Sequence, residues 1–205
     1  MKRIFPIITI LAAFSITGCV KNDAVLFEGT QVELDAATWN ANAAGLTYPI
    51  LTRIPAFNRA LSSACPDSTL RRYPQTIRIR INLVGAQSNQ DQAVSYEIFT
   101  SPITTVAFPV TIPANAGLGC PTAQTPSAPA ATLNVTDAVA GTHFTALSGT
   151  ATIPANSSFG YIDVPILNAG PTAGTARFLG IRLKDNGNLK ASTNYKEVGL
   201  AIDQR

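Results

Sequence analysis

The feature that most constrains this chain is an alternation of branched apolar and polar residues with a period of two. It is clearest at Ile77, Ile79, Ile81 and Leu83, interleaved with Arg78, Arg80 and Asn82. Successive side chains of a strand point to opposite faces, so such a run buries one face and wets the other. A helix would spread the same residues around its whole circumference. The pattern returns at Val32 and Leu34, at Val94, Tyr96 and Ile98, and at Ile162, Val164 and Ile166. It closes the chain at Leu179, Ile181 and Leu183 and at Val198, Leu200 and Ile202. One-faced strands separated by Gly, Pro, Asn and Ser predict an all-β protein of two packed sheets, with a shared core and solvated outer faces. Helical signals are few. Phe57 to Ala64 suits one or two turns, whereas the asparagines and Gly45 argue for irregular structure over Ala36 to Ala44.

Two stretches interrupt the strand rhythm, one from about Ala36 to Pro74 and one from about Ser101 to Ala130. Long excursions of this kind in compact domains are usually functional or mobile. Each carries one cysteine, Cys65 before Pro66 and Cys120 before Pro121. A Cys65–Cys120 disulfide would staple the excursions together. It would close a loop of about 55 residues and stabilise by roughly 4 kcal/mol through loss of unfolded-state entropy. Two free thiols are the alternative. A short echo, Thr111 to Ala116 against Thr152 to Ser157, reads as two β-turns of similar Pro-x-Asn chemistry within one domain.

The amino terminus has its own organisation. Lys2 and Arg3 precede an apolar run from Ile4 to Ile16, and Thr17-Gly18-Cys19 follows. The run is shorter than the roughly 20 residues of a membrane span and suits the core of a secretory signal. Its ending resembles the lipobox of bacterial lipoproteins. That resemblance implies cleavage after Gly18, a thioether lipid on Cys19 and acylation of the new amino terminus. Residues 1–18 are then a leader, 19–23 a lipidated tether and 24–205 one folded domain. No Asp follows Cys19, and Val20 stands there instead. The best-known signal for inner-membrane retention is therefore absent, and an outer-membrane location is expected, facing the periplasm or the surface. Export also makes a disulfide permissible.

Charge excludes some partners. The 15 basic residues face 12 acidic ones, and Lys2 and Arg3 leave with the leader. What remains is near neutral, with no clustered basic stripe to follow phosphates, so nucleic acid is not expected.

The segment Gly141-Thr142-His143-Phe144, continuing through Thr150 to Ser158 and Ile162 to Ile166, resembles the Calx-beta type of immunoglobulin-like domain. Similar domains of unknown function occur in lipoproteins of Bacteroidota-type bacteria. The resemblance implies an immunoglobulin-like sandwich and raises calcium as a ligand, since many such domains hold it with carboxylates at one end. This chain departs from that pattern. His143 replaces a common acidic residue, and Leu167 to Thr172 contains no carboxylate where an acidic run is expected. Calcium needs six to eight oxygen ligands, several of them charged. No metal or other cofactor is expected here. The chain also lacks a Cys-x-x-Cys pair and has His143 as its only histidine.

Catalytic signals are weak. No Gly-x-Ser-x-Gly elbow accompanies His143, which reads as a turn residue. Glu33, Asp35, Glu97 and Asp163 lie on the polar phase of strands, as solvated faces do. Trp39 and Tyr48 fall in the first excursion. Exposed, they would stack on sugar rings; buried, they would plug the sandwich. Asp67-Ser68-Thr69 matches a short bacterial O-glycosylation pattern, making Ser68 a candidate acceptor. The expectation is therefore a non-catalytic binding or scaffold lipoprotein whose partner is a protein or a glycan. An accessory carbohydrate-binding role in nutrient uptake and a hydrolase stand as alternatives.

Overall fold

A computed structural model describes residues 29–55, 69–108, 131–187 and 189–205. Cys19, Cys65, Cys120, Ser68, the Phe57 to Ala64 segment and the first half of the echo lie outside the described residues. Every alternating run becomes a strand. In chain order these are β1 (Gln31–Leu34), β2 (Ile50–Leu51), β3 (Gln75–Val84), β4 (Gln92–Phe99), β5 (Thr105–Phe108) and β6 (Ala131–Asp137). They continue with β7 (Thr150–Ile153), β8 (Phe159–Ile166), β9 (Thr175–Lys184), β10 (Lys190–Ala191) and β11 (Glu197–Asp203). One helical turn, α1 (Asp35–Trp39), follows β1.

Two sheets form. The first has the order β10-β1-β3-β8, and the second β2-β11-β9-β4-β7. β6 joins β9 in parallel beyond the end of β4, and β5 pairs with β6. Between the sheets lie the residues that the alternation marks as inward: Val32, Leu34, Ile77, Ile79, Ile81, Val94, Ile162, Val164, Leu179, Ile181, Val198, Leu200 and Ile202. Burying each such side chain contributes about 1.5–3 kcal/mol, so this layer dominates stability. The expected all-β sandwich is what the chain forms.

The excursions differ from expectation. Ala36 to Ala44 is not wholly irregular. A helical turn forms first, with Ala36 and Ala37 buried against the core and the Thr38 hydroxyl donating to the Asp35 carbonyl at 2.7 Å. It stops at Asn40, whose amide donates back to the Ala36 carbonyl at 2.7 Å and so competes with helix continuation. The asparagines end the turn rather than preventing it. Further on, Ile50 and Leu51 pair in parallel with Gly199 and Leu200 of β11, so the first excursion contributes an edge strand. The second excursion likewise contains β5.

A smaller cluster of Phe108, Leu133, Ala176 and Ala201, with Ile50 and Val106 against it, occupies the opposite face of the second sheet. The outer face of that sheet is therefore partly dry, and it carries the candidate site.

Candidate functional site

On the outer face of the second sheet, Gly180 of β9 and Gly199 of β11 stand directly opposite each other. Two neighbouring positions without side chains leave a notch in the pleated surface. Aromatic rings fill it. A Cβ on Gly180 would lie 2.6 Å from the Phe99 ring, and one on Gly199 2.5 Å from the Phe178 ring. Phe99 is itself the β4 partner of Gly180. The Phe99 and Phe178 rings meet edge to face at 5.8 Å, and Tyr48 meets Phe99 at 5.2 Å and 81°. Such edge contacts add about 0.5–1.5 kcal/mol beyond area burial. The segment carrying Tyr48 is pinned by its backbone. The Gly199 N–H donates to the Pro49 carbonyl at 3.0 Å, and the Ala43 N–H to the Tyr48 carbonyl at 3.0 Å.

Two residues further along each strand, and so on the same face, a charged row crosses the sheet. Glu97, Arg182 and Glu197 are successive cross-strand partners on β4, β9 and β11. Arg182 donates from Nε to Glu197 and from Nη1 to Glu97 at 3.1 Å. Lys184 Nζ reaches the other Glu97 oxygen at 3.1 Å. The Arg182 guanidinium also lies over the Phe99 ring, 4.8 Å from its centroid. Hydrogen bonds from Lys184 and Arg182 hold the Glu97 carboxyl below its ordinary pKa. The bond to Glu197 raises the Arg182 guanidinium further above neutral pH. Burial, with Glu197 adding, pushes the Tyr48 phenol upward, and Arg182 opposes it.

Rings and charges together wall a shallow cleft of about 610 Å³, within the range of small-molecule sites. Gly45, Leu46 and Thr47 of the first excursion and Thr100 and Pro102 after β4 line it, together with Tyr48, Phe99, Arg182 and Glu197. The Tyr48 hydroxyl is buried and has no hydrogen-bond partner among the described residues. The cleft offers donors and acceptors in close alternation, but no poised catalyst. An acid–base carboxylate pair needs one protonated member. Glu97 is held ionised by two cations, and a guanidinium separates it from Glu197.

Of the two aromatics singled out by sequence, only Tyr48 reaches this site, and as a buried ring rather than an exposed stacking platform; its side chain is 6% exposed. Trp39 is 82% exposed on α1, its indole N–H donating to Asp35 at 3.2 Å, and it does not line the cleft. His143 is buried in the 141–143 turn, where its Nδ1 accepts the Val139 N–H at 3.0 Å. Burial, with the Arg177 charge adding, keeps its pKa below the ordinary histidine value. Asp163 occupies the expected outward position and pairs with Arg78 at 2.7 Å. Among the described residues no group of three His, Cys, Asp or Glu side chains is gathered to hold a metal. Sequence reasoning missed Phe99, Arg182, Glu97 and Glu197. The usable signal was the paired order Gly180-x-Arg182 and Glu197-x-Gly199, which places two glycines and a salt bridge on one face once the strands are set antiparallel.

No family model and no curated protein matches the chain. Among solved structures it is similar to the apo form of the Calx CBD1 domain, at 12% identity and a TM-score of 0.42, covering 87% of this chain and all of that one. It is also similar to the CBD12 structure of CALX1.2, at 14% identity and a TM-score of 0.37, covering 63% of this chain and 39% of that one. A third is a proposed carbohydrate-binding protein from Bacteroides ovatus, at 12% identity and a TM-score of 0.37, covering 69% and 34% of the respective chains. Likeness at these values carries no functional argument, and the fold rests on the two sheets themselves.

Proposed function

We propose that this protein is a non-catalytic binding module of a bacterial cell envelope, held at the outer membrane by lipid on Cys19. The observation that carries the binding part is the cleft over the Gly180–Gly199 notch. Its lining includes Tyr48, whose buried hydroxyl has no partner among the described residues, and the paired Arg182 and Glu197, while Glu97 behind them is committed to Arg182 and Lys184. Each polar group there suits holding a ligand, and none is set to transfer a proton or attack one. The alternative of a hydrolase gains nothing from this site.

The anchoring part is supported by the Lys2 to Cys19 segment. It is tested by expressing the full chain in a lipoprotein-processing bacterial host fed labelled palmitate. The expected result is a labelled, shortened protein in the detergent phase, with label and processing both lost in Cys19→Ser. Wild-type protein that takes up no label, or a Cys19→Ser protein that is processed and partitions as wild type does, overturns the anchor. Incubating the same protein with candidate polysaccharides and analysing products tests the non-catalytic part, and any turnover abolished by Glu97→Gln or Glu197→Gln refutes it.

A further inference from the structure

The cleft can be read further, toward the class of ligand it takes. Its charges cancel locally. Arg182 and Glu197 line it as one charge of each sign, their pair is already made, and Arg182 is also held by Glu97, itself paired with Lys184, outside the lining. A charged ligand would have to break one of these pairs to gain another. A neutral ligand can instead use what the pairs leave over. Arg182 spends Nε and Nη1 on the two carboxylates, so Nη2 keeps its donors without a partner among the described residues. Glu197 retains acceptor capacity beside it, and Thr47 and Thr100 are also among the lining residues. The Tyr48 hydroxyl is nine-tenths buried, electrostatically coupled to both Glu197 and Arg182, and unpaired among the described residues. The hydroxyl is covered in the free protein, so a ligand group meets it only as the wall over it gives, and a hydrogen bond made there relieves its unmet pairing. Groups that donate and accept at adjacent positions are what this array would recognise. Leu46 and Pro102 supply apolar contact for the carbon skeleton that bears them.

We propose that this cleft binds a neutral sugar unit of a glycan, its vicinal hydroxyls bridging Arg182 Nη2 and Glu197 and one of them meeting the Tyr48 hydroxyl. The proposal rests on the reading of the chain as a binding module and names the ligand class of that same cleft. Phe99 has a supporting role. Its ring lies under the Arg182 guanidinium and meets the Tyr48 and Phe178 rings in T-shaped contacts, so it fixes the guanidinium rather than stacking on sugar. This differs from recognition by an exposed aromatic platform, and it makes Trp39 a bystander.

The test uses the full chain in detergent on an array of neutral and acidic oligosaccharides, followed by titration calorimetry with each neutral glycan retained. The expected result is retention of neutral glycans, with affinity falling tenfold or more in Tyr48→Phe and in Glu197→Gln and unchanged in Trp39→Ala. Tyr48→Phe keeps the ring and its contacts and removes only an unpaired hydroxyl, so a melting temperature at or above that of wild type separates loss of binding from loss of fold. Retention of no neutral glycan overturns the proposal, as does binding that survives both cleft variants or binding restricted to acidic glycans. An empty array beside intact palmitate labelling and a stably co-purifying protein partner sinks the sugar assignment alone. Glycan cleavage dependent on Glu97 or Glu197 sinks the binding-module reading itself.

Discussion

Replacing Gly160 with Ala tests how closely the two sheets approach at one corner. Gly160 lies on β8 of the first sheet, opposite Ile81 of β3, and β7 of the second sheet passes directly over it. A Cβ at this position would sit deep inside van der Waals contact with the Thr152 carbonyl oxygen, 3.0 Å from its carbon and 3.1 Å from the Ile153 side chain. The obstacle is backbone, so no rotamer change relieves it. β7 would have to move outward by about 1 Å, and its ladder to Gln92–Ser95 of β4 would bend with it. Overpacking of this size costs about 1–3 kcal/mol, and a weakened backbone hydrogen bond adds about 1 kcal/mol. Reduced freedom of the unfolded chain returns about 0.4–1 kcal/mol. The net is a loss of about 1–3.6 kcal/mol, which for a domain of this size lowers Tm by about 2–14 °C. Calorimetric melting of wild type, Gly160→Ala and Gly170→Ala measures it. Gly170 has φ +87° and nothing near its would-be Cβ, so its variant reports backbone strain without crowding. A Gly160→Ala protein that melts within 2 °C of wild type, or above Gly170→Ala, would refute the close approach of β7 and β8.

Other outcomes follow from the same geometry. Gly180→Ala drives the Phe99 ring away from the sheet, and the Arg182 guanidinium with it; calorimetry should show loss of glycan binding with only about 1–2 kcal/mol of destabilisation. Gly180→Ala with full binding would show that Phe99 does not hold the guanidinium. Trp39→Ala should change stability by less than about 0.5 kcal/mol in urea titration, because its ring is almost wholly in solvent. His143 is held with a pKa below the unfolded value of about 6.5. The unfolded chain therefore binds the proton more readily below that pH, and stability should fall as pH drops through the window beneath it. Urea titrations at pH 7.5 and pH 5 should show this decline, and His143→Gln should flatten the part that depends on the imidazole.

The fold was legible where burial is one-sided and the strand long. β3 and β8 meet in register over eight residue pairs, and the Ile and Val positions within those pairs all face inward. Alternation reports that condition directly. It fails at β2, which is two residues long, and at β5, whose four residues Thr105–Phe108 are too few for a period to be counted. Both are strands because a neighbour offers an edge: β11 for Ile50 and Leu51, and β6 for Thr105 to Phe108. That information lies elsewhere in the chain. β6 itself does alternate, Leu133 and Val135 against Thr132, Asn134 and Thr136, and was obscured by the Pro- and Ala-rich stretch before it.

The cleft was harder to read for a related reason. Its residues lie on the polar phase of their strands, where sequence logic assigns solvent. Arg182 and Lys184 look like ordinary outward charges on β9, and Phe99 looks like a strand-end anchor. What converts this face into a site is absence, the two side chains missing at Gly180 and Gly199. Those gaps matter only when β9 and β11 run antiparallel in the register that sets them opposite one another. A slip of one residue would place Gly180 against Val198 or Leu200 and turn Arg182 away from Glu197. Register in turn is fixed by burial of Leu179, Ile181 and Leu183 against the same core as Val198, Leu200 and Ile202. The inward face of these strands therefore aligns the outward one. Substitutions that leave the cleft intact but loosen that core, such as Ile181→Ala, should weaken ligand binding together with stability.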